Sequence, residues 1–249
     1  ETRGTENLKS AKEINLQTSK INDRFIEESE KGKEMTEKEC DEMSMSFYVK
    51  KIDYLNVLKR NVYFSIHDIP GLNDARTKNV YFNYVNKNFE NYDIVIFMID
   101  IKSGLNTSDE MDILNMIIDN ICKVKKETGK SIKLIAIANK CDDMELCDGE
   151  LKIGDEMVDM YKQIKTTLEQ KQRMVDVSLK PLCACDAFLY RMLKKYPDYE
   201  LSTEYINKIG TNNIGKRFNK MTIDKKRESI KNIITDESFI NDMIELSGF

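Results

Sequence analysis

The chain has 249 residues, of which 41% are hydrophobic and 33% are charged, and its formal net charge is −4. This composition is typical of a globular protein with a sizeable core and not of a disordered chain. The acidic balance argues against nucleic acid as the main partner. No apolar run approaches the roughly 20 residues that a membrane-spanning helix requires.

The cysteines and the histidine exclude several kinds of site. The six cysteines show no Cys-x-x-Cys spacing, and the single histidine, His67, excludes a metal site built from several histidines. Such cysteines are ordinarily free buried thiols of a reducing compartment, so we expect a cytoplasmic protein. We expect no signal peptide either.

The first part of the chain is charged and then becomes strand-like. Residues 19–42 have the pattern of a solvated amphipathic helix. Residues 44–52 and 62–69 predict the two strands of an antiparallel hairpin. The second strand leads into Asp68-Ile69-Pro70-Gly71. An aspartate there can hold a Mg²⁺-bound water, and a glycine can offer its N–H to a phosphate because it lacks a Cβ.

Helical and strand patterns alternate over the next part of the chain. The predicted order is a helix over 79–91, a strand over 93–100, a helix over 110–124 and a strand over 131–138. Ser108 is the expected N-cap of the second of these helices. Strands separated by helices are typical of a parallel sheet that binds its ligands at the carboxyl ends of the strands.

The strand over 131–138 is followed by Asn139-Lys140-Cys141-Asp142. The carboxylate of Asp142 can accept hydrogen bonds from the N1–H and N2–H₂ edge of guanine. Asn139 can bind the acceptor edge of the base, and the Lys140 stem can lie along the purine face. Adenine lacks that pair of donors, so such a site selects guanine. Each of the two loop motifs is weak alone, but together, each after an apolar strand, they make a strong signal.

The last part of the chain is mainly helical. A helix is predicted over 149–172, a strand over 175–182, a helix over 187–195 and further helices over 198–249. The segment from Gly210 to Lys216 has the glycine and lysine spacing of a phosphate-binding loop. However, Arg217 stands where a Mg²⁺-binding hydroxyl is needed, and the preceding residues predict a helix that ends at Gly210. We therefore assign no phosphate site there.

With the motifs at 68–71 and 139–142 in this order, the chain resembles a P-loop GTPase. The long charged insert before the hairpin makes it similar to the dynamin-like members. The resemblance implies an α/β fold, with a predominantly parallel sheet flanked by helices, one antiparallel hairpin and a C-terminal helical appendage. Residues 1–195 would form the GTPase-like domain and residues 196–249 the appendage. The first strand and the P-loop of such proteins are not recognisable before Asp68.

The resemblance also implies ligands, namely GTP or GDP with Mg²⁺. Asp68 and Thr5 are the implied Mg²⁺ ligands, and Gly71 and Thr5 the implied phosphate contacts. Only the neighbouring Gly4 favours Thr5 over Thr2, and both threonines are alternatively chance residues of a frayed terminus. No catalytic residue is assigned.

Base binding is implied for two loops, with the residues Asn139, Lys140, Asp142, Cys183, Ala184 and Cys185. Cys183-Ala184-Cys185 resembles the Ser/Cys-Ala-x motif, whose alanine N–H meets the O6 atom of guanine. The alternative is a strand end that only packs in the core.

The function predicted from these motifs is guanine-nucleotide binding, with GTP hydrolysis and nucleotide-dependent switching or self-assembly in the intact protein. A homodimer or a larger assembly fits this class, and so does association with a membrane, whereas no nucleic-acid partner is expected. The alternative is a degenerate GTPase fold that acts as a non-catalytic structural or interaction module.

Overall fold

The structure is a computed structural model that describes residues 78–249 apart from 143, 148–149, 172–173, 197–198 and 249, together with 65–67 and six positions between 16 and 27. Those six positions are helical, in agreement with the helix predicted from residue 19. Residues 65–67 belong to no strand, and the rest of the predicted hairpin lies outside the described residues. The chain divides into two compact units, Glu1–Tyr92 and Asp93–Phe249.

The described end of the first unit is helical. Helix α1 spans Lys78–Asn88 and continues as a 3-10 turn over Phe89–Asn91, where the sequence predicts one helix. Val85 and Phe89 are buried, as the apolar spacing predicts. The Phe89 ring packs edge to face against Tyr92, with ring centroids 6.0 Å apart.

Strands and helices alternate through the first half of the second unit, and helices follow. In chain order the elements are β1 (Ile94–Asp100), α2 (Ser108–Thr128), β2 (Lys133–Asn139), β3 (Glu145–Cys147), β4 (Glu150–Lys152), α3 (Asp155–Lys171), β5 (Val177–Leu182), α4 (Ala184–Lys195), α5 (Thr203–Ile214), a 3-10 turn (Gly215–Lys220), α6 (Ile223–Ile234) and α7 (Glu237–Leu246).

The main sheet of the second unit is parallel, with the strand order β1-β2-β5. The central strand β2 alternates between the two faces, and its side chains Leu134, Ala136 and Ala138 are fully buried. Parallel neighbours need a crossover, which α2 supplies between β1 and β2. At the last rung Asp100 pairs with Asn139, which in turn pairs with Leu182. The predicted α/β fold is confirmed, and the three strands end at one edge of the sheet.

Helix α2 begins one residue earlier than the predicted cap requires. Thr107, not Ser108, is the N-cap, and its hydroxyl accepts a hydrogen bond from the Glu110 N–H at 3.2 Å. The Glu110 carboxylate accepts in return from the Thr107 N–H, which completes a capping box. Because Thr107 and Ser108 both carry a hydroxyl, only Glu110, three residues after Thr107, marks Thr107 as the cap. Gly129, at φ 75°, ends the helix.

The helix predicted over 149–172 is shorter in the structure. Residues 150–152 form β4, which pairs antiparallel with β3, and α3 begins only at Asp155. The Gly154 carbonyl accepts a hydrogen bond from the Met157 N–H at 2.9 Å and so starts the first turn. The sequence prediction was wrong at this end because pairing between two short strands overrides the local helical pattern.

The C-terminal helices share a hydrophobic core with α4. Its buried members come from all four helices and the 3-10 turn, namely Leu189, Tyr190, Leu193, Ile206, Ile209, Phe218, Ile230 and Ile240. The domain boundary placed after residue 195 stays a prediction. None of the described helices combines the length and the apolarity needed to cross a bilayer.

The segment from Gly210 to Lys216 is not a phosphate-binding loop. Helix α5 continues through the buried Gly210 and ends only at Gly215, whose φ is 78°. An added Cβ at Gly210 would lie 2.2 Å from ring carbons of Phe218, so glycine is needed there for packing. The predicted helix is therefore present, but its predicted end at Gly210 was wrong.

Candidate functional site

The loop after β2 carries three of the predicted base-binding residues. Its turn is tight, because Lys140 adopts a left-handed φ of 64° and its carbonyl accepts from the Asp142 N–H at 2.9 Å. The intervening Cys141 is fully buried, and its N–H donates to the Leu182 carbonyl at 3.1 Å. Cys141 thus anchors the loop to the end of β5, while Lys140 and Asp142 keep partly exposed side chains.

The second predicted loop lies beside the first. Asn139 Oδ1 accepts a hydrogen bond from the Ala184 N–H at 3.1 Å. The Cys183 thiol lies 3.4 Å from Asp142 Oδ1. Two hydrogen bonds therefore join two loops that are more than 40 residues apart in sequence.

The thiol of Cys183 is the donor in its bond with Asp142, because an ionised carboxylate can only accept, and burial reinforces this direction. Loss of solvation raises the pKa of the Cys183 thiol to about 12. At neutral pH the thiol therefore keeps its proton and donates it to the carboxylate. The Asp142 side chain is 42% exposed, and its other described contact is Lys102, with Nζ 3.9 Å from Oδ2. These two contacts use only part of the four acceptor positions of a carboxylate.

Lys140 is held by a residue that the sequence prediction missed. Its ammonium lies 2.5 Å from Oδ2 of Asp100 at the end of β1, and Asp100 Oδ1 also accepts from the Lys102 N–H at 3.0 Å. The hydrogen bond from Lys140 lowers the pKa of Asp100, and the same bond raises the pKa of Lys140. An acidic residue directly after an apolar strand was the available signal.

We expect the pair of Asp100 and Lys140 to make stability depend on pH. Because the folded pKa of Asp100 is lowered, its contribution is present above the unfolded value of about 3.9 and is lost as the pH falls through the folded value. The effect is small, since the two side chains are 35% and 56% exposed. Asp100→Asn should therefore lower the urea midpoint slightly at pH 7.

The difference between wild type and Asp100→Asn should shrink at about pH 3, below the unfolded pKa. Asp119→Asn, on the exposed side of α2, is the matched control for the loss of one carboxylate. A difference in midpoint that is the same at both pH values would contradict the stabilising role of this ion pair.

A cleft of about 170 Å³ is lined in part by Asp142 and Cys183. Its walls come from the loop after β2, from α4 and from the C-terminal helices, with the residues Cys141, Asp142, Met144, Cys183, Asp186, Lys208, Asn212, Met243, Leu246 and Ser247. Lys208 Nζ lies 2.6 Å from Asp186 Oδ1. Burial lowers the pKa of Lys208, but the hydrogen bond and the charge of Asp186 outweigh it, so the pKa is raised.

The chemistry of the two loops suits a guanine base. The Asp142 carboxylate matches the N1–H and N2–H₂ donors, and the Ala184 N–H would match the O6 acceptor if it turned from Asn139 Oδ1, which accepts it in this structure, to the base. Cys185 lies exposed on the first turn of α4. The structure thus brings the six predicted base-binding residues to one edge of the sheet, and their binding of guanine stays a prediction.

The residues predicted to bind phosphate and Mg²⁺ have no described position relative to the two loops. Thr5, Asp68 and Gly71 lie outside the described residues. Within the part of the chain that is described, no group of three or more acidic, cysteine or histidine side chains could hold a metal ion. No step through Mg²⁺ is therefore derived from the described residues.

Comparison with known proteins gave one family. A family model described as the Gtr1/RagA G protein conserved region matches residues 33–192, which is more than half of the chain. The match includes the motifs at 68–71 and 139–142 and the loop at 183–185, and it ends before α5. No significant match was found among curated proteins or among solved structures.

Proposed function

The chain belongs to the Gtr1/RagA G protein family, and on that basis we propose that its two joined loops bind the guanine base of GTP and GDP. Guanine-nucleotide binding follows from the family, and the assignment of residues is our proposal. The base-binding residues are Asn139, Lys140, Asp142, Cys183, Ala184 and Cys185. A dynamin-like mode of action is not what the matching family describes and stays a hypothesis.

The observation that carries the proposal is the pair of hydrogen bonds between the loops. They place the Asp142 carboxylate and the Ala184 N–H at the same edge of the sheet, where parallel strands bind their ligands. Guanine differs from adenine at N1, at C2 and at C6. A carboxylate can recognise the N1–H and N2–H₂ donors, and a backbone N–H can recognise the O6 acceptor. With adenine, the carboxylate would face the N1 acceptor and the Ala184 N–H would face the N6 donor, so neither group would pair with the base, which is costly in a partly buried site.

Lys140 has a different role, which is to cover the face of the base. Asp100 holds the Lys140 ammonium at 2.5 Å, so the aliphatic stem is fixed in one direction. A fixed apolar stem packs against a purine ring with little further loss of side-chain entropy. Asp100 therefore acts on the base through Lys140.

We propose GTP hydrolysis for the intact protein. Asp68 and Thr5 would hold Mg²⁺, and Gly71 and Thr5 would contact the phosphates. Bound Mg²⁺ supplies neutralisation of the negative charge on the phosphate oxygens. No residue of the chain is assigned as a catalytic base.

The test is a comparison of nucleotides on the full-length protein. Isothermal titration with GDP and with ADP, both with Mg²⁺, should give at least about a thirtyfold preference for GDP. This follows because each unpaired partner costs about 1–3 kcal/mol and there are two of them. Equal affinity for the two nucleotides would contradict the proposal. Turnover of GTP distinguishes an active GTPase from a non-catalytic interaction module.

The cellular setting is a further part of the proposal. We place the protein in the cytoplasm, which is supported by the free thiols of Cys122, Cys141, Cys183 and Cys185. Nucleotide-dependent self-assembly or membrane association would depend on surfaces outside the two loops. Light scattering with GDP and with a non-hydrolysable GTP analogue measures whether the assembly state follows the nucleotide.

A further inference from the structure

The last turn of the described chain contacts the start of the second base-binding loop. The Cys183 N–H donates a hydrogen bond to the Ser247 carbonyl at 3.0 Å. Ser247 is only 2% exposed, its hydroxyl donates to the Ile244 carbonyl at 2.6 Å, and its N–H donates to the Met243 carbonyl at 3.1 Å. The acceptor that Cys183 uses is therefore itself held firmly by helix α7.

The approach of this turn to β5 depends on a glycine. Gly248 has a φ of 96°, which a residue with a side chain rarely adopts. An added Cβ would lie 2.4 Å from the Pro181 carbonyl oxygen and 3.2 Å from Leu182 Cα, both of which are backbone atoms. A side chain at Gly248 would force the end of α7 away from β5.

A second contact from the C-terminal helices holds the other side of the same loop. Lys208 of α5 forms its ion pair with Asp186 on the first turn of α4. Ala184 therefore lies between two anchored residues, Cys183 and Asp186. Both anchors come from helices that lie beyond residue 192, where the family match ends.

From these contacts we propose that the turn of Ser247 and Gly248 is a positioning element for the guanine-binding loop. By fixing Cys183, it keeps the Cys183 thiol against Asp142 and the Ala184 N–H at the edge of the sheet. This inference rests on the proposed function. Its consequence is that C-terminal residues that touch no nucleotide control how well the base is recognised.

The test compares two glycine substitutions in the full-length protein. Gly248→Ala should weaken GDP binding at least tenfold and leave ADP binding unchanged, because only guanine uses the displaced Ala184 N–H. Gly215→Ala is the matched control, since Gly215 also has a positive φ, of 78°, but an added Cβ meets nothing within 4 Å. It should bind both nucleotides as the wild type does. A general loss of structure would weaken both nucleotides together.

The outcomes separate this inference from the proposed function. If the wild type does not prefer GDP over ADP, the proposed function fails before any variant is compared. If the wild type prefers GDP and Gly248→Ala keeps the same preference, only the positioning role is overturned.

If Gly248→Ala does not fold, amide hydrogen exchange of the wild type, measured with and without GDP, tests the positioning role instead. Coupling between two sites is reciprocal, so GDP should slow exchange of the Gly248 amide at least tenfold. An unchanged rate for that amide would overturn the inference.

Discussion

Replacing Asp142 with asparagine is expected to weaken GDP binding about 10²- to 10⁴-fold, because hydrogen bonds to a charged group contribute about 1.5–3 kcal/mol each. In the proposed site, two such bonds, to N1–H and N2–H₂, depend on the carboxylate. The amide of asparagine retains one acceptor but turns a donor toward the N2 donors of guanine. The Cys183 thiol also loses its charged acceptor at 3.4 Å.

The same substitution should create a preference for xanthine nucleotides. Xanthine carries a carbonyl oxygen where guanine carries the N2 amino group, so the new amide N–H finds an acceptor. Titration of the full-length Asp142→Asn variant with GDP and with xanthosine diphosphate measures both effects. Asp159→Asn, at an exposed position on α3, is the control for the change of charge. If Asp142→Asn binds GDP as the wild type does, Asp142 does not contact the base.

Replacing Phe218 with alanine is the second large effect that we expect, and it concerns stability. Phe218 is 0% exposed and belongs to the core that joins α4 to the C-terminal helices. Truncation of a buried phenylalanine costs about 3–5 kcal/mol of unfolding free energy. Urea unfolding measures the loss, and Phe188→Ala is the matched control because Phe188 is 58% exposed. Similar losses for the two variants would contradict the described core.

Gly210 provides an independent check on the packing around Phe218. Gly210→Ala overpacks the contact with the ring and should cost about 1–3 kcal/mol. In the Phe218→Ala background the ring is gone, so the added methyl group should cost little or even stabilise the helix. The two substitutions are therefore expected to be strongly non-additive. Additive losses would show that Gly210 and Phe218 do not pack together.

Much of the fold of the second unit could be predicted from the sequence because its strands are apolar and end at polar loops. The pairs of Asp100 with Asn139 and of Asn139 with Leu182 follow the expected parallel order. The pattern did not reveal β3 and β4, since a short antiparallel pair depends on backbone bonds and not on periodic apolar side chains. The prediction of Ser108 as the N-cap was wrong, since the neighbouring Thr107 also carries a suitable hydroxyl and is the residue that caps the helix.

The position of the two loops at the ends of neighbouring strands could be predicted, but the contacts that support these loops could not. Asn139 and Asp142 stand in a motif whose spacing can be seen in the printed sequence. Asp100 lies 40 residues from the lysine it holds, and Ser247 lies more than 60 residues from Cys183. No local pattern links residues so far apart, so only the three-dimensional structure reveals that Asp100 supports one loop and Ser247 the other.

The most direct test of the central claim is an experimental structure of the full-length protein with GDP and Mg²⁺. We predict that the guanine ring lies against the Lys140 stem, with Asp142 at hydrogen-bonding distance from N1 and N2 and the Ala184 N–H at O6. We also expect Asp68 to contact Mg²⁺ at the phosphate end of the same nucleotide. A bound GDP whose base lies away from both Asp142 and Ala184 would contradict the predicted base position.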